Sequence, residues 1–335
     1  MPRLIDCFMF FNEYDLLEIR LKYLYDIVDE FIIVEAAQTF MGEYKPFNFE
    51  DQKHRYKQYL PKITYYKVEG FHLSLESVKN YLEQNHGNNS ITFKKIATML
   101  EKHSHYDKKK LYYVLDTYHR ESIHLPLAHT AKEDDIVIIS DLDEIPSRAA
   151  IHLYLKGDTR SISAFKQHEF SFYLNYYKNS DWIGSVIAPY SLIQAQSFNE
   201  LRIDSKKLRH IVSKELLSNG GYHFTTCGSI TQIKEKLSAW AHPEFNTKRN
   251  NINLEHNMRT GQDPFGRSLG TIFQVVCVDS TELYDNHIKL ILSDYPRLLT
   301  FHDLDSVSPT KVQKLIFYMA KLAQKAYAKL PKRIH

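Results

Sequence analysis

IVIISDLDEIP, residues 136–146, is the most informative segment of the chain. A run of Ile and Val that ends in acidic residues is typical of a buried strand that leads to an exposed edge. In extended backbone, residues two apart point the same way, so Asp141 and Asp143 can address one cation together. A structural interpretation is also open, in which the aspartates form an Asx turn and cap a short helix near Pro146. The position after a buried strand, with Glu144 adjacent, favours the binding interpretation.

The first half of the chain alternates between strand and helix patterns. Apolar runs predict strands, and helical spacing of apolar residues predicts helices between them. The strands are expected at residues 4–11, 31–36, 63–68 and 134–140, and the main helices at residues 13–25 and 107–130. Strand, crossover helix and strand in this order predict an α/β fold, with a mostly parallel sheet that helices cover on both faces.

Acidic residues stand where each predicted strand ends. Glu13 follows the first strand, Glu35 closes the second, Glu69 follows the third, and Asp141 to Glu144 follow the fourth. Ligands of open parallel sheets bind beyond the carboxyl ends of the strands. Carboxylates gathered there repel one another unless a cation neutralises them. Because oxygen ligands favour Mg²⁺ or Mn²⁺ over zinc, the pattern predicts one of these metals at this edge.

The second half of the chain has a different pattern. Residues 162–177 and 185–196 alternate in the manner of antiparallel strands and are rich in Tyr and Phe. No linker rich in Pro, Gly or Ser separates the halves. We therefore expect one domain over residues 1–305, in which a half of residues 1–150 joins a half of residues 151–305.

The segment between the third and fourth predicted strands is unusually polar. Residues 83–110 include three consecutive lysines and two histidines at ligand-like spacing, His103 and His105. We interpret the segment as a surface insertion in which both histidines are solvated.

Composition excludes several classes of protein. The 335 residues are 43% hydrophobic and 25% charged, the mixture of a soluble protein with a full core. No apolar run approaches the roughly 20 residues of a membrane-spanning helix. Dinucleotide-binding and P-loop sites are not indicated, since neither GxGxxG nor GxxxxGK(S/T) occurs. Three cysteines are too few for a disulfide framework, which favours a reducing cytoplasm.

Basic residues are concentrated at the C-terminus. The net charge is only +3, yet the residues after Asp305 include seven Lys or Arg and no acid. The rest of the chain is therefore acidic overall, and nucleic acid is not an expected partner. Residues 306–335 are expected to form a basic amphipathic helix. Either its apolar side packs on the body with solvated lysines, or it contacts anionic lipid peripherally at the inner face of the membrane.

Six segments between residues 6 and 267 carry distinctive motifs. They are DCFMFFNEYDLLEIRLKYLYDIVDEFIIVEA (6–36), TFMGEYKP (39–46), YHRESI (118–123), DDIVIISDLDEIPSR (134–148), GGYHFTTCGSITQIKEKLSAWAHPEF (220–245) and RTGQDPFGR (259–267). Together they resemble glycosyltransferase family 17, which includes β-1,4-mannosyl-glycoprotein 4-β-N-acetylglucosaminyltransferases. The resemblance implies a GT-A-like fold with a nucleotide-sugar-binding half and an acceptor-binding half. It also implies metal-dependent, inverting transfer of a sugar from a UDP-sugar to a glycan or lipid-linked glycan, with UDP-GlcNAc and a β-1,4 linkage as the first choice.

The resemblance assigns roles near the expected metal. Asp143 is the expected direct ligand of Mn²⁺ or Mg²⁺, with Asp141 as a further metal-site residue. Asp141 and Glu144 are also expected to reach the nucleotide sugar through water or ribose contacts. His223, in GGYHF, matches the histidine that GT-A enzymes often add to the metal, although a structural histidine is an open alternative.

Further residues are expected to contact the nucleotide. Glu13 and Glu35 are placed to accept hydrogen bonds from uracil or ribose. Arg120 could pair with phosphate or with a carboxylate of the site, or it could form an ion pair on a helix surface. Arg20 lies among leucines and is expected to form a buried structural pair.

An inverting transfer needs a carboxylate base near the acceptor hydroxyl. Glu244 and Asp263 lie in segments of the resemblance and are the candidates, although a structural role is open for each. On the acceptor side, alternate residues of FSFYLNYYKNSDW (170–182) face opposite ways, so one aromatic face is expected in the core. The other face, with Asn175 and Trp182, could stack against sugars, or the segment could serve the core alone.

Two other functions stay open at the level of the sequence. A buried strand that ends in DxD is also the nucleophile motif of haloacid-dehalogenase-type phosphatases, with Asp141 as nucleophile. Ile145 stands where those enzymes have Thr or Val. The aromatic strands are alternatively compatible with a carbohydrate-binding protein that has no catalytic activity.

Overall fold

The structure is a computed structural model that describes residues 2–84, 90–157, 161–207 and 216–328. Ten strands in these ranges form one mixed sheet. In chain order they are β1 (Leu4–Met9), β2 (Glu30–Ala36), β3 (Ile63–Val68), β4 (Ile136–Asp141), β5 (Glu144–Pro146), β6 (Ser163–Ser171), β7 (Tyr176–Pro189), β8 (Leu216–Leu217), β9 (Gly221–Thr225) and β10 (Gln274–Val275).

Helices connect the strands and follow them. In chain order the α-helices of the described residues are α1 (Tyr14–Leu24), α2 (Asn48–Gln52), α3 (Leu75–Gln84), α4 (Ser90–Lys102), α5 (Leu111–Glu121), α6 (His124–Thr130), α7 (Arg148–Lys156), α8 (Tyr190–Ile193), α9 (Phe198–Ser205), α10 (Ile230–Ala239), α11 (Lys248–Thr260), α12 (Asn286–Leu292) and α13 (Lys311–Ala328). Short 3₁₀ turns occur between some of them.

The sheet combines a parallel part with an antiparallel part. The strand order is β3-β2-β1-β4-β7-β6-β9-β5, with β10 beside β7 and β8 beside β6. Neighbours among β3, β2, β1 and β4 run parallel, and β7 pairs with β4 in the antiparallel sense. The predicted α/β class is therefore confirmed. The division of the chain at residues 150 and 305 stays a prediction, although strands from both halves share this sheet.

Both faces of the parallel strands β1, β2 and β4 are buried, and because successive side chains of a strand point to opposite sides, these strands contribute to two cores. Phe8 and Phe31 belong to one core, which α1 and α12 help to build. Their neighbours Cys7 and Ile32 belong to a second core, to which α4, α5 and α6 contribute. Burial on both faces explains the continuous apolar runs that the sequence shows at these strands.

The interpretation of residues 83–110 as a surface insertion is wrong for α4. Phe93, Ile96 and Leu100 lie on one side of this helix and are buried in the second core. His103, just after the helix, is also buried, and its ring packs against Tyr106. Three apolar residues at helical spacing suffice to dock the helix, although its other positions are polar.

The predicted strand over residues 185–196 consists of two elements. Strand β7 begins earlier, at Tyr176, and ends at Pro189, where α8 begins. Proline has no N–H to donate, so the ladder of hydrogen bonds stops there. The turn before β7 places Phe172 at a positive φ of 67°.

The C-terminal helix exposes its apolar side. On α13, the side chains of Val312, Leu315, Ile316, Met319 and Leu322 belong to residues that are 44–64% exposed. The interpretation in which this stripe packs on the body is therefore wrong for these residues. In the part of the chain that the structure describes, every helix is too short or too polar to cross a membrane.

Arg20 of α1 forms a fully buried ion pair with Asp6 of β1. Arg20 Nη2 and Nε donate to the two Asp6 oxygens over 2.6 and 2.8 Å. Arg20 Nη1 donates to three backbone carbonyl groups within residues 141–144 over 2.9–3.1 Å, and Nη2 also donates to Ser140 Oγ. The expected structural pair is confirmed, and it ties α1 and β1 to the acidic segment after β4.

Replacing Arg20 by leucine should lower the free energy of unfolding by about 3–5 kcal/mol, because Asp6 would become a buried, unpaired charge. Urea denaturation followed by circular dichroism measures this loss. Arg259→Leu is the matched control. Its exposed pair with Asp305 predicts a change below about 1 kcal/mol. A loss for Arg20→Leu no larger than that of the control would contradict the prediction.

Candidate active site

The carboxyl ends of β1 and β4 open into a cleft of about 680 Å³. Phe10, Phe11 and Glu13 line it from the segment after β1, and Asp141 and Asp143 line it from the end of β4. Helices α5, α9 and α10 contribute the facing side chains. The cleft therefore lies where parallel sheets bind their ligands.

Asp141 lies between two arginines. Its Oδ1 accepts a hydrogen bond from Arg120 Nη1 over 2.6 Å, and its Oδ2 accepts one from Arg202 Nη2 over 2.7 Å. Burial favours the neutral carboxyl group, but the two guanidinium groups outweigh it and hold the pKa of Asp141 well below its ordinary value. Both oxygens of Asp141 therefore already accept charged hydrogen bonds from the protein.

Glu144 is fully buried and is held by the protein. Arg202 Nη2 donates to both of its oxygens over 2.6 and 2.7 Å. The Trp182 indole N–H donates to it over 2.9 Å, and Ser185 Oγ donates over 3.1 Å. Burial opposes ionisation, but Arg202 lowers the pKa of Glu144 overall. Glu144 itself does not line the cleft; it orients Arg202 and Trp182, which do.

Lys236 of α10 bridges two acidic residues of the cleft. Its Nζ lies 2.9 Å from Asp143 Oδ2 and 2.9 Å from Glu13 Oε1. Despite burial, Lys236 lowers the pKa of Glu13, and the two carboxylates raise the pKa of Lys236. The other oxygen of Asp143, Oδ1, lies 3.8 Å from His223 Nε2. Asp143 and His223, both predicted as metal ligands, therefore lie side by side.

Asp143 and His223 fit a divalent-metal site with two protein ligands. His223 Nδ1 is buried and has no hydrogen-bond partner, and Nε2 is beyond hydrogen-bond distance of Asp143, so the ring is not committed to another group. Mg²⁺ sites often use one or two carboxylates and complete their shell with phosphate oxygens and water. Asp141 does not extend the pair, because arginines hold both of its oxygens. Among the described residues, no group of three or more His, Cys, Asp or Glu side chains is arranged to hold a metal ion.

Glu35, predicted to contact the nucleotide, is fully buried and does not line the cleft. Its Oε1 accepts from Lys45 Nζ over 2.5 Å and from the backbone N–H of Asn48 over 2.7 Å. Its Oε2 accepts from the backbone N–H of Phe49 and from the Tyr65 hydroxyl. Lys45 lines the cleft, so Glu35 is connected to the cleft only through the lysine that it holds.

The two carboxylates predicted as base candidates are not among the residues that line the cleft. Asp263 accepts hydrogen bonds from the backbone N–H groups of Phe265 and Arg267 and from the Arg267 guanidinium, which closes a local turn. Glu244 is partly exposed and lies 2.9 Å from His242 Nδ1. His242 lines the cleft, so Glu244 is connected to the cleft only through its contact with His242.

The two predicted acceptor residues lie in different places. Asn175 is buried away from the cleft, where its amide group donates to the backbone carbonyl groups of Val276 and Thr300. Trp182 lines the cleft, and its ring stacks on His223 with a centroid distance of 4.1 Å. The structure thus brings Trp182, and not Asn175, together with the predicted metal ligands.

The model of Glycosyltransferase family 17 matches residues 1–89 and 77–264 of the chain. The chain belongs to glycosyltransferase family 17. It is therefore a glycosyltransferase, and its fold is of the predicted α/β class, with one mixed central sheet. Comparison with curated proteins finds no match.

Two solved glycosyltransferase structures show a distant likeness to this family 17 chain. Mannosyltransferase PcManGT from Pyrobaculum calidifontis, in complex with GDP-Man and Mn²⁺, is 11% identical, with a TM-score of 0.32; the match covers 96% of this chain and 81% of that one. Mouse xyloside xylosyltransferase 1, in its apo form, is 10% identical, with a TM-score of 0.26 and coverage of 62% and 77%. The assignment rests on the family match and not on these likenesses.

Family 17 membership decides between the functions that the sequence left open. Glycosyl transfer accounts for the acidic edge without a nucleophilic aspartate. A phosphatase would instead need Asp141 as a free nucleophile, whereas both of its oxygens accept hydrogen bonds from arginines. The family match also excludes a carbohydrate-binding protein without catalytic activity, because the family is one of glycosyltransferases.

Among the described residues, the charged residues that line the family 17 cleft but were not predicted from the sequence are Lys45, Asp107, Asp116, Arg202, Lys206 and Lys236. Asp116 and Arg202 come from α5 and α9, and Lys206 is the residue that follows α9. Lys236 lies within the motif segment 220–245, which was the only signal available for it. The residues that flank Arg202 do not identify it as the partner of Asp141, because the two are 61 positions apart in the sequence.

Proposed function

We propose that this glycosyltransferase is metal-dependent and inverting, and that it transfers GlcNAc from UDP-GlcNAc to a glycan or lipid-linked glycan, in a β-1,4 linkage. The observation that carries the proposal is the pairing of Asp143 with His223 inside a cleft lined with cations. The choice of GlcNAc and of the linkage rests on the resemblance of the motif segments to N-acetylglucosaminyltransferases.

The donor side of the cleft suits a nucleoside diphosphate. Asp143 and His223 would hold Mn²⁺ or Mg²⁺, which when bound supplies a Lewis acid that neutralises the leaving diphosphate. Arg120 has a buried Nε without a hydrogen-bond partner, and Lys206 is an exposed cation on the cleft wall. Both can contribute charge-assisted hydrogen bonds to phosphate oxygens. Glu13 is assigned to the ribose or uracil.

Three residues of the cleft suit the acceptor side. Trp182 and Trp240 both line the cleft and offer aromatic surface to a sugar ring. Asp116 on α5 is the carboxylate that we assign as general base, because burial and the nearby Asp141 raise its pKa, although Arg120 opposes this. In the proposed step Asp116 accepts the acceptor hydroxyl proton while that oxygen bonds to the anomeric carbon and UDP leaves with the bonding electrons. Glu244 and Asp263 remain alternative candidates for this role.

Donor class and metal dependence can be tested by thermal unfolding with UDP-GlcNAc, UDP-galactose and GDP-mannose, each with Mn²⁺ or with EDTA. UDP-GlcNAc with Mn²⁺ should raise the melting temperature most, because a ligand at a hundred times its Kd stabilises the folded state by about 2.7 kcal/mol. Asp143→Asn should lose the part of the shift that needs Mn²⁺. Stabilisation by GDP-mannose alone, or an equal shift in EDTA, would refute the proposed donor or the metal.

Asp116→Asn should lower kcat by about 10²–10⁴-fold and leave the affinity for UDP-GlcNAc nearly unchanged, because the amide cannot accept the proton. In the wild type, kcat should rise with pH through the raised pKa of Asp116, since the base acts only when ionised. Glu244→Gln and Asp263→Asn are matched carboxylate-to-amide changes outside the cleft lining. Loss of kcat in either of these, with Asp116→Asn near normal, would move the role away from Asp116.

We further propose that the enzyme works in the cytoplasm, in peripheral contact with an anionic membrane. The exposed apolar stripe of α13 supports this contact, since the same helix carries Lys311 and Lys314 in its first turns and no acidic residue follows Asp305. Each lysine near an anionic surface contributes about 1 kcal/mol of attraction. A lipid-linked acceptor would be presented at that surface.

Replacing Leu315 and Ile316 together by serine should abolish co-sedimentation with phosphatidylserine-containing vesicles, because the apolar surface that enters the lipid is lost. Leu290→Ser on α12 is the control, since Leu290 is 73% exposed and lies outside the stripe. Binding to phosphatidylcholine vesicles should be weak for all variants. Unchanged sedimentation of the double variant would reject the membrane contact.

A further inference from the structure

Lys236 lies between two acidic side chains of the cleft, Asp143 and Glu13, whose negative charges would repel each other without a cation between them. Its Nζ is equally close to Asp143 and to Glu13, at 2.9 Å from each, and its side chain is only 23% exposed. One ammonium group shared by two carboxylates offsets about half of the negative charge on that side of the cleft. The acidic edge is thus partly neutralised by a residue of the chain.

Helix α10 holds this lysine firmly. Ser229 and Gln232 form a reciprocal capping box at its start, and Ile233 and Leu237 on either side of Lys236 are buried in a third core. The side chain therefore leaves a docked helix at a defined point beside Asp143. This placement makes Lys236 a built-in part of the cleft.

We propose that Lys236 is an internal counter-ion that competes with the divalent metal for Asp143 and yields to it when the nucleotide diphosphate binds. The inference rests on the proposed function, because it takes Asp143 and His223 as the metal ligands. Lys236 holds Asp143 Oδ2, while Oδ1 faces His223. A second cation at Oδ1 is repelled by the ammonium and meets a carboxylate whose charge is already shared. A diphosphate supplies the negative charge that draws Lys236 away.

Metal and nucleotide should consequently bind with positive coupling, which is reciprocal for binding free energies. UDP should raise the affinity for Mn²⁺ in the wild type, and Mn²⁺ should raise the affinity for UDP by the same factor. Without Lys236, Mn²⁺ should bind well even when no nucleotide is present, so the coupling should weaken.

The test is a Mn²⁺ titration of the full chain, with free Mn²⁺ read by electron paramagnetic resonance in the absence and presence of UDP. Lys236→Met should bind Mn²⁺ without UDP about tenfold or more tightly than the wild type, because the competing charge is gone. Lys236→Gln is a second neutral variant that can still hydrogen-bond both carboxylates, and it should show the same tightening. Lys236→Arg keeps the charge and should bind as weakly as the wild type.

Lys178→Met is the matched control. Lys178 pairs with Glu169 over 2.8 Å at a similar exposure of 25%, and it does not line the cleft, so its loss should leave Mn²⁺ affinity unchanged. Mn²⁺ affinity that is equal or weaker in both neutral Lys236 variants would overturn the inference.

The outcomes also separate this inference from the proposed function. Sugar transfer by a wild-type enzyme that binds no Mn²⁺ would overturn the competition and leave glycosyl transfer standing. Tighter Mn²⁺ binding in both neutral variants of a protein that transfers no sugar from UDP-GlcNAc would uphold the competition and overturn the proposed donor.

Discussion

The buried guanidinium group of Arg20 is the interaction on which the cleft depends. An arginine offers five N–H donors in a rigid plane, and here they bind Asp6, Ser140 and three carbonyl groups of residues 141–144. A loop that follows a buried strand would otherwise leave these carbonyl groups without partners. Because Arg20 sits on α1 and Asp6 on β1, packing of the helix sets the path of the acidic segment. The side chains of Asp141 and Asp143 therefore start from a backbone that is already ordered.

Around this frame, five acidic side chains are each paired with at least one cation, and two of the cations are shared. Arg120 and Arg202 hold Asp141, Arg202 also holds Glu144, Lys45 holds Glu35, and Lys236 joins Asp143 to Glu13. Removing so many charges from water is unfavourable unless each is paired at short distance. The pairing keeps the cleft charged and yet stable. It also distinguishes the carboxylates that orient other residues from Asp143, which has one oxygen directed at His223.

Much of the fold could be predicted from the sequence, whereas the site could be predicted only in part. The parallel strands β1, β2 and β4 were predicted because burial on both faces produces long apolar runs, and residues at the strand ends mark the ligand edge. The end of a buried strand identified Asp141 and Asp143 as site residues. The motif GGYHF identified His223. The partners of these residues were not foreseeable, because Lys236 and Asp143 are 93 positions apart and meet only through the folded sheet. Asn175 and Glu35 were predicted as site residues but do not line the cleft. Alternation and strand ends indicate where a residue lies along a strand, but they do not indicate which polar groups of other segments will bind its side chain.

The positions of the indole rings have a practical consequence for spectroscopy. The chain has two tryptophans, Trp182 and Trp240, and both belong to the cleft wall. Trp182 rests on an imidazole ring and has a lysine ammonium 5.0 Å from its own ring centre. Tryptophan emission thus originates from one small region, beside groups that quench and shift fluorescence, and it is isolated from the 23 tyrosines by exciting the indoles selectively. Occupancy of that region can be followed optically in unlabelled protein, with no background from other indoles.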